Sequence, residues 1–257
     1  METGTLGFIG GGRITRIILQ AFKNKNVEFE SVRVFEPDAE ASARLVQQFP
    51  DVEIAESNKA PAEQDIVFLA VHPPVIMDTL REISSVPEGN SIVISLAPKI
   101  TMEKISRQIS SRKIIRMIPN ATSFINRGYN PVCFSDSFSR EDKKSLMKLF
   151  RIMGKTKEID EKELEAYAIV SAMLPTYFWF QWKKMEDIAM KTGFTEDESR
   201  KIIRDTLTRT IKLYYQSGLS PDEVIDLIPV KPLGDKEEEI EEIFESKLLG
   251  LYEKIKP

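Results

Sequence analysis

The chain has 257 residues and a mass of 29.3 kDa, room for one large or two modest domains, and its 42% hydrophobic and 30% charged residues describe a globular chain able to bury a full core without staples. Its 36 Lys+Arg against 40 Asp+Glu give a net charge of −4, with residues 1–160 at +2 and 161–257 at −6, so no basic domain points to nucleic acid or an anionic membrane surface. One cysteine, Cys133, excludes an internal disulfide framework and one histidine, His72, excludes a His-x-x-x-His motif, so no metal is expected.

Residues 4–9 are short and apolar, and glycines follow, which predicts a buried strand. Ile14, Ile17, Ile18, Ala21 and Phe22 fall on one face of a helix over 13–23. Val32, Val34 and Phe35 form a second strand, Pro37-Asp38 opens a helix to about Phe49, and Val52–Ala55 is a short third strand. Asp65–Val71 is apolar without alternation, as a strand covered on both faces reads, and Pro73-Pro74 stops it. A helical stretch runs to about Ile83, followed by a strand at Ser91–Leu96, a helix over 101–110 and a strand at Lys113–Ile118. A strand around Pro131–Ser135 and a helix from an N-capping Ser139 to Phe150 complete the alternation.

After Gly154 the pattern turns helical. Glu161 to about Lys191 reads as one long helix containing Pro175, and Thr195 to Gln216 as a second with capping-box spacing between Thr195 and Glu198. Ser220–Leu227 begins with an N-cap and a proline, and Asp235 to about Lys256 is a last helix with an acidic start. The expected fold is α/β: a Rossmann-type doubly wound, mostly parallel sheet over 1–155, then an all-helical domain over 156–257.

The first strand runs into Gly10-Gly11-Gly12-Arg13-Ile14-Thr15, a G-x-G-x-x-T dinucleotide fingerprint in the strand–turn–helix setting that gives it meaning. Gly10 permits the tight turn, Gly12 lets backbone approach a pyrophosphate, and the helix N-terminus offers unpaired N–H groups. Glu36 ends the second strand, where a carboxylate accepts from ribose hydroxyls and repels a 2′-phosphate; this favours NAD(H), while Arg13 leaves NADP(H) possible.

From these residues on, the chain resembles the pyrroline-5-carboxylate reductase family. Gly7-Phe8-Ile9-Gly10-Gly11-Gly12 is similar to its opening, and Ser57-Asn58 to its ribose-side pair. Phe68-Leu69-Ala70-Val71-His72-Pro73 is similar to its Leu-Ala-Val-Lys-Pro, and Arg116-Met117-Ile118-Pro119-Asn120 to its Arg-x-Met-Pro-Asn near the nicotinamide, with Gly128 at a suitable distance beyond. The resemblance implies an NAD(P)-binding domain, a helical dimerisation and substrate domain, a homodimer, and hydride transfer to the C=N bond of a small cyclic imine in proline biosynthesis. The family's Ser-Gly-Ser-Gly-Pro-Ala-Tyr is here Ser171-Ala172-Met173-Leu174-Pro175-Thr176-Tyr177. Its hydroxyl- and glycine-rich substrate loop is Pro229-Val230-Lys231-Pro232-Leu233-Gly234-Asp235. The cofactor half matches, and the substrate half is rewritten.

The candidate cofactor residues are therefore Gly10, Gly12, Arg13, Ile14, Glu36, Asn58, Ala70, Val71, His72, Pro73 and Asn120. His72, at the carboxyl end of a central strand, is a candidate proton donor as well as a cofactor contact. Asn120 can hold the nicotinamide amide or a water, or cap the turn after Pro119, and Thr176 beside Pro175 is the third candidate for catalysis. Ser171, Met173, Thr176 and Lys231 are the candidate substrate residues, Lys231 as a carboxylate anchor. The aromatic run Phe178-Trp179-Phe180-Trp182 reads as core or dimer packing, and Cys133 as a buried small hydrophobe. The rival readings are another reductase on the same scaffold and a nucleotide-binding regulator without turnover. Apolar runs are too short for a membrane span, and the Met1–Leu6 start lacks a leader pattern, so a cytoplasmic, reducing setting is expected.

Overall fold

The computed structural model describes residues 4–86 and 90–257; the first three residues of the Met1–Leu6 start lie outside them. Eight strands form one sheet: β1 Thr5–Ile9, β2 Ser31–Phe35, β3 Val52–Ile54, β4 Ile66–Leu69, β5 Ile92–Ser95, β6 Ile114–Met117, β7 Gly128–Phe134 and β8 Gly154–Glu158. The helices are α1 Arg13–Lys23, α2 Ala39–Gln48, α3 Lys59–Ala62, α4 Pro73–Glu82, α5 Met102–Ser106, α6 Arg140–Phe150, α7 Leu164–Tyr167, α8 Leu174–Lys191, α9 Glu196–Gln216, α10 Pro221–Asp226 and α11 Glu237–Ile255.

The sheet order is β3-β2-β1-β4-β5-β6-β7-β8. The first six strands are parallel, β7 runs antiparallel to β6, and β8 is parallel to β7. The expected doubly wound fold is thus present, with two added strands. Side-chain alternation explains why β1 and β4 read as unbroken apolar runs. Leu6, Phe8, Ile66 and Phe68 enter the core on one face, while Ile9, Val67 and Leu69 enter the other. Phe8 stacks on Phe68 across the central pair, with ring centroids 4.9 Å apart. The order reverses between β1 and β4, which places a ligand crevice at the carboxyl ends of these strands.

Besides the short helix α3, which the sequence does not signal, the sequence reading departs from the structure in four places. Strand β8 was not foreseen: its Gly-Lys-Thr-Lys-Glu carries lysines on a sheet edge, where charge guards unpaired backbone, so it lacks an apolar signature. The helix expected over 101–110 stops at Ser106, because the Gln108 amide bonds Ile105, three residues back, and tightens the turn. The long helix expected from Glu161 to Lys191 is broken into a 3₁₀ turn at Glu161–Glu163, α7, a π turn at Ala168–Ala172, and α8. Met173 N–H donates to Ala168 O, five residues back, and Pro175 has no N–H to give the Ser171 carbonyl.

The fourth is the domain boundary. The chain divides into one compact unit of residues 1–173 with 251–257, and another of 174–250. The expected division at 155/156 falls inside the first unit, because Leu164, Ala168 and Ile169 are buried, and Leu164 and Ala168 pack with Ile118 and Cys133 of the sheet. The second unit consists of α8 to α11. Thr195 and Glu198 form the expected capping box on α9, and Ser220 and Glu223 form another on α10. Among its described residues only Ser199 is buried; Trp179, Phe180, Ile211, Tyr215 and Ile228 are exposed.

Candidate active site

The turn after β1 is shaped by contacts that glycine alone allows. Gly10 sits at φ +103°, and a Cβ there would lie 2.7 Å from Ala70 O. A Cβ on Gly11 would lie 2.8 Å from Glu36 Cβ, whereas one on Gly12 would meet nothing within 4 Å. Gly12 therefore borders open space, the cradle expected for a pyrophosphate. Thr15, where the fingerprint has its third glycine, is buried and donates its hydroxyl to Gly10 O at 2.6 Å, tying the turn to α1. No side chain caps the amino end of α1, so its first amides are left for a ligand.

Glu36 is held by backbone. Its Oε2 accepts from Gly11 N–H at 2.8 Å and its Oε1 from Asp38 N–H at 3.0 Å, which fixes the carboxylate beside the glycine turn. A groove of about 620 Å³ borders the same turn, lined by Gly11, Gly12, Arg13, Arg16, Asp38, Arg44 and His72 among others. Arg16 and Arg44 were missed by sequence reasoning. Arg16 lies one helical turn beyond Arg13, a spacing that could have signalled it, but Arg44 reaches the groove from α2, which only the fold reveals.

A second cavity, about 270 Å³, opens at the carboxyl ends of β4, β5 and β6. Ile14, Ala70, Val71, His72 and Pro73 line it, joined by Leu96, Ala97 and Pro98 after β5, Ile118 and Pro119 after β6, and Ala168, Ala172 and Met173. His72 lines both cavities, at the N-cap of α4 with its side chain making no cap bond. The structure thus brings together Gly12, Arg13, Ile14, Ala70, Val71, His72, Pro73 and Met173. The residues after β5 were overlooked, although a buried parallel strand ending in Ala97-Pro98 pointed there.

Other candidates are committed elsewhere. Asn58 donates to Glu82 Oε2 at 2.6 Å, linking α3 to α4, and lines neither cavity. Asn120 is saturated: its Oδ1 accepts from Thr122 N–H and Oγ1, while its Nδ2 donates to Ser171 O at 2.8 Å and lies 3.3 Å from Ser171 Oγ. Ser171 O is the carbonyl that Pro175 leaves without a helical partner, and Ser171 Oγ donates to Tyr129 O. Asn120 and Ser171 thus share one hydrogen-bond network that ties the turn after β6 to the segment 168–172 and to Tyr129 O.

Thr176 and Lys231 belong to the other unit. Lys231 lines a groove there of about 1140 Å³, between Met185, Val224, Ile228, Leu233, Ile240 and Phe244 and in the company of Glu237, Glu241 and Glu245. A lone ammonium among three carboxylates is a weak carboxylate anchor.

Behind the second cavity, Arg116 is fully buried. It pairs with Glu165 Oε1 at 2.5 Å and Glu161 Oε1 at 2.9 Å, and donates to Ala97 O. The same carboxylates accept the Lys99 and Met102 amides, so one guanidinium pins the loop after β5 to the segment 161–165. Cys133, beside it, is buried as expected, and burial pushes its thiol up to about 12 against the pull of Arg116.

Comparison with known proteins agrees with this geometry. Residues 5–99 match the family described as NADP oxidoreductase, coenzyme F420-dependent. Pyrroline-5-carboxylate reductase of Escherichia coli K12 is 28% identical over 226 residues, 87% of this chain and 84% of the relative. The chain is similar to the pyrroline-5-carboxylate reductases over most of its length. The Kluyveromyces lactis reductase is 26% identical over 240 residues, 86% of this chain and 83% of its own. Among solved structures, the Plasmodium falciparum pyrroline carboxylate reductase with NADP bound superposes with a TM-score of 0.84 at 21% identity, covering 100% of this chain and 98% of that one. The Streptococcus pyogenes 1-pyrroline-5-carboxylate reductase superposes at 0.81 with 20% identity, covering 98% of each. The reductase fold therefore spans the substrate-side segments in which this chain departs from the family's motifs.

Proposed function

We propose that the chain is an NAD(P)H-dependent oxidoreductase that reduces the C=N bond of a small cyclic imine, as the pyrroline-5-carboxylate reductases are named for doing. The observation that carries this reading is the continuity at His72 between an open backbone cradle at Gly12 and an apolar cavity. The residues present fit a nicotinamide dinucleotide: Gly12 and the first amides of α1 for the pyrophosphate, Glu36 for a ribose, and the second cavity for the nicotinamide ring. Bound there, the coenzyme supplies a hydride. This chain's residues orient and desolvate: Pro73, Pro98, Pro119 and Met173 wall the cavity against water, and placement of two rings face to face is worth more than any single contact. His72, at the cavity rim, is the group we assign to proton handling. Oxidation of NADH or NADPH, followed at 340 nm with a panel of cyclic imines, tests the reading; binding of coenzyme without turnover of any would favour the regulator.

For the coenzyme, we infer a preference for NADH set by Glu36. The carboxylate is already fixed by two amides, so it costs little ordering to meet ribose hydroxyls and repels a 2′-phosphate. Arg13, Arg16 and Arg44 pull the other way. Glu36→Ser should then raise the NADPH/NADH ratio of kcat/KM at least about 10-fold, the effect of removing one like-charge contact. An unchanged ratio would refute the role of Glu36.

A second copy of the chain is the natural cover for the helical unit. No hydrophobic side chain of Leu174–Gly250 is buried, and helices with such apolar faces are not left in water. A homodimer through this unit accounts for the exposed Phe178, Trp179 and Phe180. Among the described residues no helix is long and apolar enough to cross a membrane, and a buried, unpaired Cys133 suits a reducing, cytoplasmic setting.

A further inference from the structure

The chemistry of the second cavity goes further than the class of reaction. Of its thirteen lining residues, His72 is the one titratable side chain, and it sits at the rim shared with the phosphate groove. Main-chain donors are also scarce. Pro73, Pro98 and Pro119 have no N–H. The Ala70 amide is spent on Ile9 O, Leu96 on Leu69 O, Ile118 on Pro131 O and Met173 on Ala168 O. No lysine or arginine is among the lining residues: Arg116, behind Ala97, is turned away into its pairs with Glu161 and Glu165, and Arg13 and Arg16 line the phosphate groove.

A carboxylate placed against this lining away from the His72 rim would lose its hydration and meet no lysine or arginine among the described residues of the wall. In the helical unit, the loop 229–235 offers Lys231 flanked by Pro229 and Pro232, and that lysine shares its groove with three glutamates. A small apolar ring loses nothing in the same place, because every CH₂ it buries is favourable.

We propose that the imine substrate of this chain is a small, apolar cyclic imine without a carboxylate, selected by the proline- and methionine-walled cavity over imino acids of the same ring size. This rests on the reductase reading above. The bond change is the same for either substrate: the C=N carbon gains a hydride from the reduced nicotinamide coenzyme, which is oxidised, and the nitrogen gains a proton by way of His72, which water resupplies, leaving CH–NH.

The test compares 1-pyrroline and 2-methyl-1-pyrroline with pyrroline-5-carboxylate on the full-length chain, alongside a calorimetric titration with NADH and NADPH. The expected result is a kcat/KM for the uncharged imines at least about 100-fold above that for the carboxylate, the scale of an unpaired charge at an apolar wall. Equal or higher kcat/KM for pyrroline-5-carboxylate would overturn this inference and leave the reductase reading standing. Coenzyme binding with no turnover of any imine would also overturn it. Absence of coenzyme binding would overturn the reductase reading itself.

Discussion

Gly12→Asp is expected to unfold within about 2 °C of the parent chain and yet bind reduced coenzyme at least about 100-fold more weakly. The two halves of this result come from one observation. A Cβ at Gly12 meets nothing within 4 Å, and its backbone, at φ −71° and ψ −158°, is open to any residue. The fold therefore has no stake in glycine there. The coenzyme does, because the new carboxylate would stand in the space left for the diphosphate, and like charges at that distance cost several kcal/mol. Gly10→Ala and Gly11→Ala are the contrasting cases. Their methyl groups run into Ala70 O and Glu36 Cβ, and Gly10 is left-handed besides, so both should lower the melting temperature. A melting scan and a calorimetric titration on the three variants check the distinction. Unchanged NADH affinity in Gly12→Asp would remove the phosphate-turn assignment.

The largest effect on stability should come from Arg116. Arg116→Ala leaves Glu165, itself buried, facing no cation, and the loss of one partner of a buried pair costs about 3–5 kcal/mol. Because Glu161 and Glu165 also hold the Lys99 and Met102 amides, the loss should loosen the Ala97-Pro98 wall of the second cavity, so KM should rise together with the fall in stability. Replacing all three members by neutral groups, as Arg116→Met, Glu161→Gln and Glu165→Gln, should recover most of the stability, since no charge is orphaned and the Lys99 and Met102 amides keep an acceptor. Chemical denaturation of the single and triple variants tests this. A single variant within about 1 kcal/mol of the parent would show that the buried guanidinium contributes little to the fold.

The chain's sequence by itself determined the dinucleotide-binding half. Short apolar runs, a glycine turn and an amphipathic helix are local signals, each readable within about ten residues, and β1, α1, β2 and β4 lie where those signals placed them. The caps at Asp38, Ser139, Thr195 and Ser220 were legible for the same reason: a capping side chain reaches only its own first turn. What lies beyond that reach only the tertiary structure decided. Nothing near Asn120 reveals that its amide will be taken by a carbonyl that Pro175 sets free, and nothing near Arg44 reveals that α2 will bring it to the groove that Gly12 lines. Strand β8 pairs because β7 offers an edge, its own residues being polar. The segment 161–173 looked like part of the helical domain because its apolar period is helical, and it joined the sheet because Arg116 and Ile118 wait there for Glu165 and Leu164. Period and turn chemistry act along the chain, whereas burial and ion pairing act across it; the character of the second cavity, assembled from the ends of three strands and a π turn, belongs to the second kind.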